Sequence, residues 1–300
     1  MGTRYSARLF AEPIDQALVG AALFAAVDAV DRQMSTWKPD SDLSRLNAAP
    51  VGQWVPVPAG LAIVLAEAVR IGRESGGAFD IGVGDLVNDW GFGPTAPRRD
   101  PSRLSAMPGR PRLSAMDGLE FDEAGERIRK LAPVTLDLSG IAKGFGVDEL
   151  ARCLERFGIA SYLVGIDGEL RVRGSKPGGE PWNVAVERPD YEQRDVMGVL
   201  ALSDTAVATS GDYRHWIEFK GAKLSHTMDP RTGEPLRNRI ASVTVLAKQC
   251  VDADAWATAL MVMGDSGPDF ARARGMDALF VMRDSDRLTA LATGKFESDA

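Results

Sequence analysis

One stretch constrains this chain more than any other. Val134-Thr-Leu-Asp-Leu-Ser-Gly-Ile-Ala-Lys-Gly-Phe-Gly-Val-Asp148 sets an acid, a lysine and glycines between a short apolar alternation and a helix-forming run. Leu136 and Leu138 alternate with Thr135 and Asp137, which predicts a short buried strand. Gly144 and Gly146 permit close backbone approach where Lys143 offers a point charge, the chemistry of a phosphate contact at the start of a helix. The Gly-x-x-x-x-Gly-Lys-Ser/Thr spacing of a Walker loop is absent. Read alone, the segment fits a phosphate contact or an ordinary strand-to-helix turn, and its meaning depends on partners elsewhere in the chain.

The elements around it are mixed. Tyr5, Ala7 and Leu9 alternate with Ser6 and Arg8, which predicts a half-buried strand over 4–10. Leu23, Val27, Val30 and Met34 fall on one helical face after Pro13, and Leu61, Leu65, Ala68 and Gly72 mark a second helix that Gly76-Gly77 stops. The pattern predicts a helix over 147–157, then strands at 161–164, 170–172, 182–186, 199–202 and 241–247. A helix over 252–263, another around Phe270 and a strand at 279–282 follow. No regular βαβ alternation appears, so the expected fold is α+β: a single domain over 1–300, built as one compact unit with two interlocked subdomains. Residues 94–118 are rich in Pro and Arg and contain Arg-Leu-Ser-Ala-Met twice, which predicts a surface loop insertion rather than a repeat architecture.

Composition narrows the function classes. A chain of 300 residues with 45% hydrophobic content can bury a full core. Its net charge of -7 argues against a nucleic-acid or anionic-membrane surface, so a small molecule or another protein is the expected partner. Cys153, on a helix face, and Cys250, at a strand end, sit in no Cys-x-x-Cys or Cys/His cluster and are expected in the core. No run is long enough for a transmembrane helix and no leader is visible, so the chain as given is expected in the cytoplasm. A leader removed ahead of residue 1 would instead place it in the periplasm or at a membrane anchor.

Several segments carry chemistry. In Asp252-Ala-Asp-Ala-Trp-Ala-Thr-Ala-Leu260, Asp254 and Thr258 lie at i and i+4, so a carboxylate and a hydroxyl share one helix face. Hard oxygens at that spacing suit magnesium, and a helix start capped by Asp252 or Asp254 is the plainer reading. His226, in Leu224-Ser-His-Thr-Met-Asp-Pro-Arg-Thr-Gly, is one of only two histidines and stands as a general base or as a core histidine bonded to a backbone carbonyl. His215, beside Trp216, reads as structural. Thr205 to Asp212 is an anion nest or a strand exit. Ser75-Gly-Gly-Ala-Phe-Asp80, followed by Trp90-Gly-Phe-Gly93, suggests a loop around a flat ligand, and Trp37 is a ring for stacking or a lid on the core.

Taken together and in order, Met-Ser-Thr-Trp, Gly-Ala-Phe-Asp, Asp-Leu-Ser-Gly-Ile-Ala-Lys-Gly, Thr-Ser-Gly-Asp-Tyr, His-Thr-Met-Asp-Pro-Arg-Thr-Gly and Asp-Ala-Trp-Ala-Thr-Ala-Leu resemble the ApbE family of FAD:protein FMN transferases. The resemblance implies a magnesium-dependent transfer of FMN from FAD to a Ser or Thr hydroxyl of a target flavoprotein, forming a phosphoester and releasing AMP. It implies Asp254, Thr258 and the Gly140 carbonyl as metal ligands. It also implies Met1, Trp37, Ala78, Phe79, Asp80, Asp137, Lys143 and Met228 as FAD contacts, and leaves His226 as the candidate base. Ser139 stands where the family often has glycine, and Asp167 where glycine is common. A metal-dependent FAD pyrophosphatase and a flavin-binding protein without turnover are the two alternatives.

Overall fold

The computed structural model describes residues 2–11, 13–95, 112–219, 221–284 and 287–297. Met1 and the middle of the expected loop insertion, 96–111, lie outside the described residues. Contacts divide the chain into two compact units, Met1–Asp28 with Lys143–Arg214 and Arg239–Ala300, and Ala29–Ala142 with His215–Asn238. Helices and strands are mixed in an α+β arrangement, as the irregular alternation of patterns predicts.

The first unit is organised by a seven-stranded sheet of β1 (Tyr5–Phe10), β2 (Ser161–Ile166), β3 (Glu169–Arg173), β4 (Thr205–Gly211), β5 (Ile240–Ala247), β6 (Asp277–Asp284) and β7 (Arg287–Thr293). The strands lie in chain order and every neighbouring pair is antiparallel. The pleat sorts their side chains. Tyr162, Val164, Ile166 and Ala206 join Val147, Leu150, Ala151 and Leu154 of the Ala142–Arg156 helix in one buried cluster, together with Val19 and Leu23. Leu163, Leu170, Val172 and Val207 instead meet Trp182, Val184, Leu200 and Leu202 of the hairpin Trp182–Glu187/Val196–Leu202. Alternate residues of one strand thus enter different clusters, as a period of two requires.

The Cys250–Met263 helix is apolar nearly all round and packs on β4 and β5, the behaviour of an interior helix. Its first amides are capped from a distance. Asp148 accepts from the Cys250 amide at 3.0 Å and the Val251 amide at 3.0 Å, and the Arg171 guanidinium donates to it at 2.6 Å. The cap is therefore neither Asp252 nor Asp254, and Cys250 opens a helix rather than ending a strand. Both cysteines are buried thiols.

In the second unit the Ala59–Glu74 helix buries Leu61, Val64, Leu65, Ala68 and Ile71. A small sheet orders Val55–Pro56, Arg127–Lys130 and Leu119–Phe121, and Trp216–Phe219 pairs with Ala222–Ser225. The strand expected at 134–138 does not form. That segment has no regular secondary structure, and its backbone is held by a side chain: Asn47 Nδ2 donates to the Leu136 carbonyl at 2.9 Å, and the Leu136 amide donates to Asn47 Oδ1 at 2.8 Å. The Asp137 amide completes the hold by donating to the Ile81 carbonyl at 2.8 Å. Alternation of Leu136 and Leu138 reported burial correctly, but a strand needs a neighbour with ladder hydrogen bonds, and here an amide side chain takes that place. At the end of the expected loop insertion, Ala115–Gly118 forms one helical turn in which Ala115 and Gly118 are buried.

Candidate active site

In the first unit the site grows from the start of the Ala142–Arg156 helix. Gly144 and Gly146 lie inside that helix rather than in a loop before it. A Cβ on Gly144 would run into the Cys250 carbonyl and come within 2.8 Å of the Asp254 Cβ, so the close approach this glycine allows is between two helices. At that contact the Gly144 amide donates to Asp254 Oδ2 at 2.9 Å. It is one of the first amides of a helix, without an intrahelical partner, and it favours the charged carboxylate.

Lys143, next to it, is about one-third exposed and ion-pairs with the nearly buried Glu169 at 2.5 Å. Burial of the Lys143 ammonium works against its charge, yet Glu169, Asp254 and Asp167 outweigh that and hold its pKa above the ordinary lysine value. Asp254 is pushed the other way. Burial, reinforced by the negative charge of Glu169, raises its pKa to about 7 against the pull of Lys143 and the Gly144 amide. One turn further along, the Thr258 hydroxyl lies 3.0 Å from that of Ser210 on β4. The Thr-Ser-Gly sequence of 209–211 is thus strand, and its serine meets the helix hydroxyl.

A buried carboxylate and a hydroxyl one turn apart, both hard oxygen donors, fit a magnesium ion. An Asp254 that retains a proton to about pH 7 is a site whose negative charge is incompletely matched by protein, and a divalent cation would displace that proton. Among the described residues no group of three His, Cys, Asp or Glu side chains is gathered for a metal. The Asp254 and Thr258 pair is a different donor set, with one carboxylate only.

The second unit holds the remaining residues. Trp37 is in a turn after the Gln16–Met34 helix with two-thirds of its surface exposed, so it is not a lid on the core. Ala78 and Phe79 are buried, and the Phe79 amide donates to Ser75 Oγ at 3.0 Å. Asp80 Oδ1 accepts from the Gly82 amide at 2.8 Å and the Ala115 amide at 3.0 Å. Burial still leaves the Asp80 pKa raised, since it exceeds what those two amides and Arg112 return. Asp137 is buried and accepts from the Ser139 amide at 2.8 Å, shaping the turn that contains the half-buried Gly140.

His226 follows the Ala222–Ser225 strand and is half-buried. Its Nδ1 lies 3.1 Å from the His215 carbonyl. A carbonyl can only accept, so Nδ1 carries the proton in this contact; in the neutral ring the lone pair is then on Nε2. Met228 is buried with Leu86, Trp90 and Leu224.

Sequence reasoning missed Glu169, Asp148 and Ser210 as members of the constellation. Glu169 stands two residues after Asp167, which drew attention as a departure from the family pattern. The signal for Glu169 was its place at the start of a strand that is otherwise half apolar.

The arrangement is that of a fold with many relatives. Residues 1–280 match the model of the ApbE family. An FAD:protein FMN transferase of Vibrio cholerae serotype O1 is 39% identical over 99% of this chain and 90% of its own length. One from Escherichia coli K12 is 36% identical over 91% of this chain and 79% of its own. Among solved structures, the flavin transferase ApbE from Vibrio cholerae superposes with a TM-score of 0.86 at 36% identity, covering 99% of this chain and 96% of that one. The apo flavinyl transferase ApbE of Pseudomonas stutzeri gives 0.86 at 34%, over 99% and 93%. These likenesses define an enzyme class, transferases that handle flavin nucleotides. The chain belongs to the ApbE family.

Proposed function

We propose that this chain transfers FMN from FAD to a protein acceptor, the activity after which its curated relatives are named. The finer part of the proposal follows the family resemblance: the acceptor is a Ser or Thr hydroxyl, the transfer depends on magnesium, and AMP leaves. In that reaction the acceptor oxygen forms a bond to the phosphorus nearer riboflavin, and the bond from that phosphorus to the bridging oxygen breaks. The hydroxyl proton passes to a base and the bridging oxygen leaves with AMP.

The observation that supports this best is the set Lys143, Gly144, Asp254 and Thr258 at one helix contact, because it offers a cation and hard oxygens for a pyrophosphate and its metal. A magnesium ion held there by Asp254 and Thr258, with the carbonyl the family pattern gives to Gly140, would supply charge neutralisation at the phosphate oxygens. Lys143 orients the pyrophosphate and offsets the charge that develops on it. His226, with its proton on Nδ1, accepts the acceptor proton at Nε2. Trp37 and the Phe79–Asp80 backbone serve the flavin and its attached chain, with Asp137 fixing the turn beside them.

The test is incubation with FAD, magnesium and a Ser/Thr-bearing target peptide. Covalent flavin fluorescence on the peptide is expected. Free FMN without labelled peptide would replace the reading with a pyrophosphatase, and neither product would leave a flavin binder. In the same assay His226→Ala is expected to lower transfer by about a hundredfold or more with FAD affinity nearly unchanged. Equal losses in both would remove the base assignment.

A further inference from the structure

The β2–β3 turn is built around an unusual pair of positions. Asp167 has φ 55, a left-handed conformation that aspartate tolerates better than most residues, and its carboxylate pairs with Arg214 at 3.2 Å. Two residues on, Glu169 opens β3 opposite Ile166, so its backbone is fixed by the sheet. Its side chain is 3% exposed, and one oxygen, Oε1, takes the Lys143 ammonium at 2.5 Å. The other, Oε2, is buried with no hydrogen-bond partner among the described residues.

As a stabilising device this is poor. A buried ion pair gains little over an apolar pair of the same size, and an unmatched carboxylate oxygen adds desolvation cost. Glu169 also repels Asp254 across the same site. What the arrangement does well is hold one flexible side chain. Lys143 has a flexible four-carbon stem and stands at the first turn of its helix.

We infer that Glu169 is the positioning residue of this site: anchored by the sheet, it fixes the Lys143 ammonium where a phosphate oxygen is received and supplies the countercharge its burial requires. The inference rests on the reading that Lys143 receives the FAD pyrophosphate. The charged groups facing Lys143 are Glu169 on β3, Asp254 on the Cys250–Met263 helix and Asp167 in the turn. Of these three, Glu169 is the one that hydrogen-bonds the ammonium among the described residues. Without it, burial acts on Lys143 with only the more distant carboxylates opposing.

The deciding experiment is competitive acetic-anhydride labelling of the protein across pH, with mass spectrometry of the peptide carrying Lys143. In the wild-type protein Lys143 is expected to resist labelling at about pH 9 relative to exposed lysines in the same digest. Early labelling there overturns the inference without any variant. In Glu169→Gln, labelling of Lys143 at about pH 9 should be at least about tenfold faster, and equal rates would overturn it.

FAD binding, followed by quenching of flavin fluorescence, is the second readout. Above the titration of Asp254, between about pH 8 and about pH 9.5, Glu169→Gln should lose about tenfold in affinity while the wild type stays level. Glu169→Asp keeps the charge one methylene short, so its Lys143 stays protected while FAD binds more weakly at every pH. FAD affinity equal to wild type in Glu169→Asp would overturn the positioning role. A wild type that binds no FAD would refute the reading of the site, and the labelling result would still decide the Glu169–Lys143 link.

Discussion

Two regions of the contact between the Ala142–Arg156 and Cys250–Met263 helices use a buried aspartate in opposite ways. Around Asp148 every demand is met: two amides and a guanidinium converge on a carboxylate with no exposed surface. Around Asp254 one amide donates, a second carboxylate stands nearby, and the acid is pushed up to about 7. Both are buried acids on adjoining helices, and the difference lies in the donors. A saturated acid holds structure, whereas an undersupplied one is poised for a ligand.

Replacing each acid should break that contrast most visibly. Asp148→Ala strands the Arg171 charge and uncaps the helix, and it should cost about 3–5 kcal/mol in urea unfolding. Asp254→Asn removes a charge that burial disfavours, so it should leave stability near pH 7 unchanged or raise it, yet lower flavin transfer by about a hundredfold or more. If Asp254→Asn proved the more destabilising of the two, the contrast would fail. A smaller effect is expected at the junction itself. Gly144→Ala forces a methyl against the Cys250 carbonyl and should cost about 1–3 kcal/mol, with transfer falling as Asp254 is displaced.

The subtlest measurement is the pH dependence of the metal-free protein. A carboxyl raised from 3.8 to about 7 on folding binds its proton more tightly when folded. The stability it contributes is therefore present at low pH and is lost as pH rises through that window. Wild type should lose stability relative to Asp254→Asn between pH 3.8 and about 7 and run parallel to it above. Curves parallel throughout would mean that Asp254 is better satisfied than its neighbours indicate.

What could be read in the sequence was what depends on near neighbours along the chain. The Asp254 and Thr258 pairing is a spacing of four on one helix, and the strands at 161–166 and 240–247 announce themselves by apolar runs. The mixed architecture followed from the irregular alternation of those patterns. Contacts between distant positions could not be read. Leu136 is held by Asn47, and the helix opening at Cys250 is capped by Asp148, so local pattern suggested a strand in one place and the wrong cap in the other. Gly144 was correctly singled out for close approach, but what approaches is a helix carbonyl, which the sequence does not display. Glu169 was overlooked because its importance comes from being buried beside a lysine on another element.

The order of the large sheet has a bearing on how the protein is made. Pairs such as β2–β3 and β6–β7 join strands separated by short turns, and they can zip up as soon as both have left the ribosome. β1 pairs only with β2, and residues 11–160 intervene. β1 therefore stays unpaired in this sheet until residues 11–160 have followed it. Closing so long a loop adds little free energy but delays the contact. Of the strands in this sheet, β1 is thus the one expected to join across the longest stretch of intervening chain.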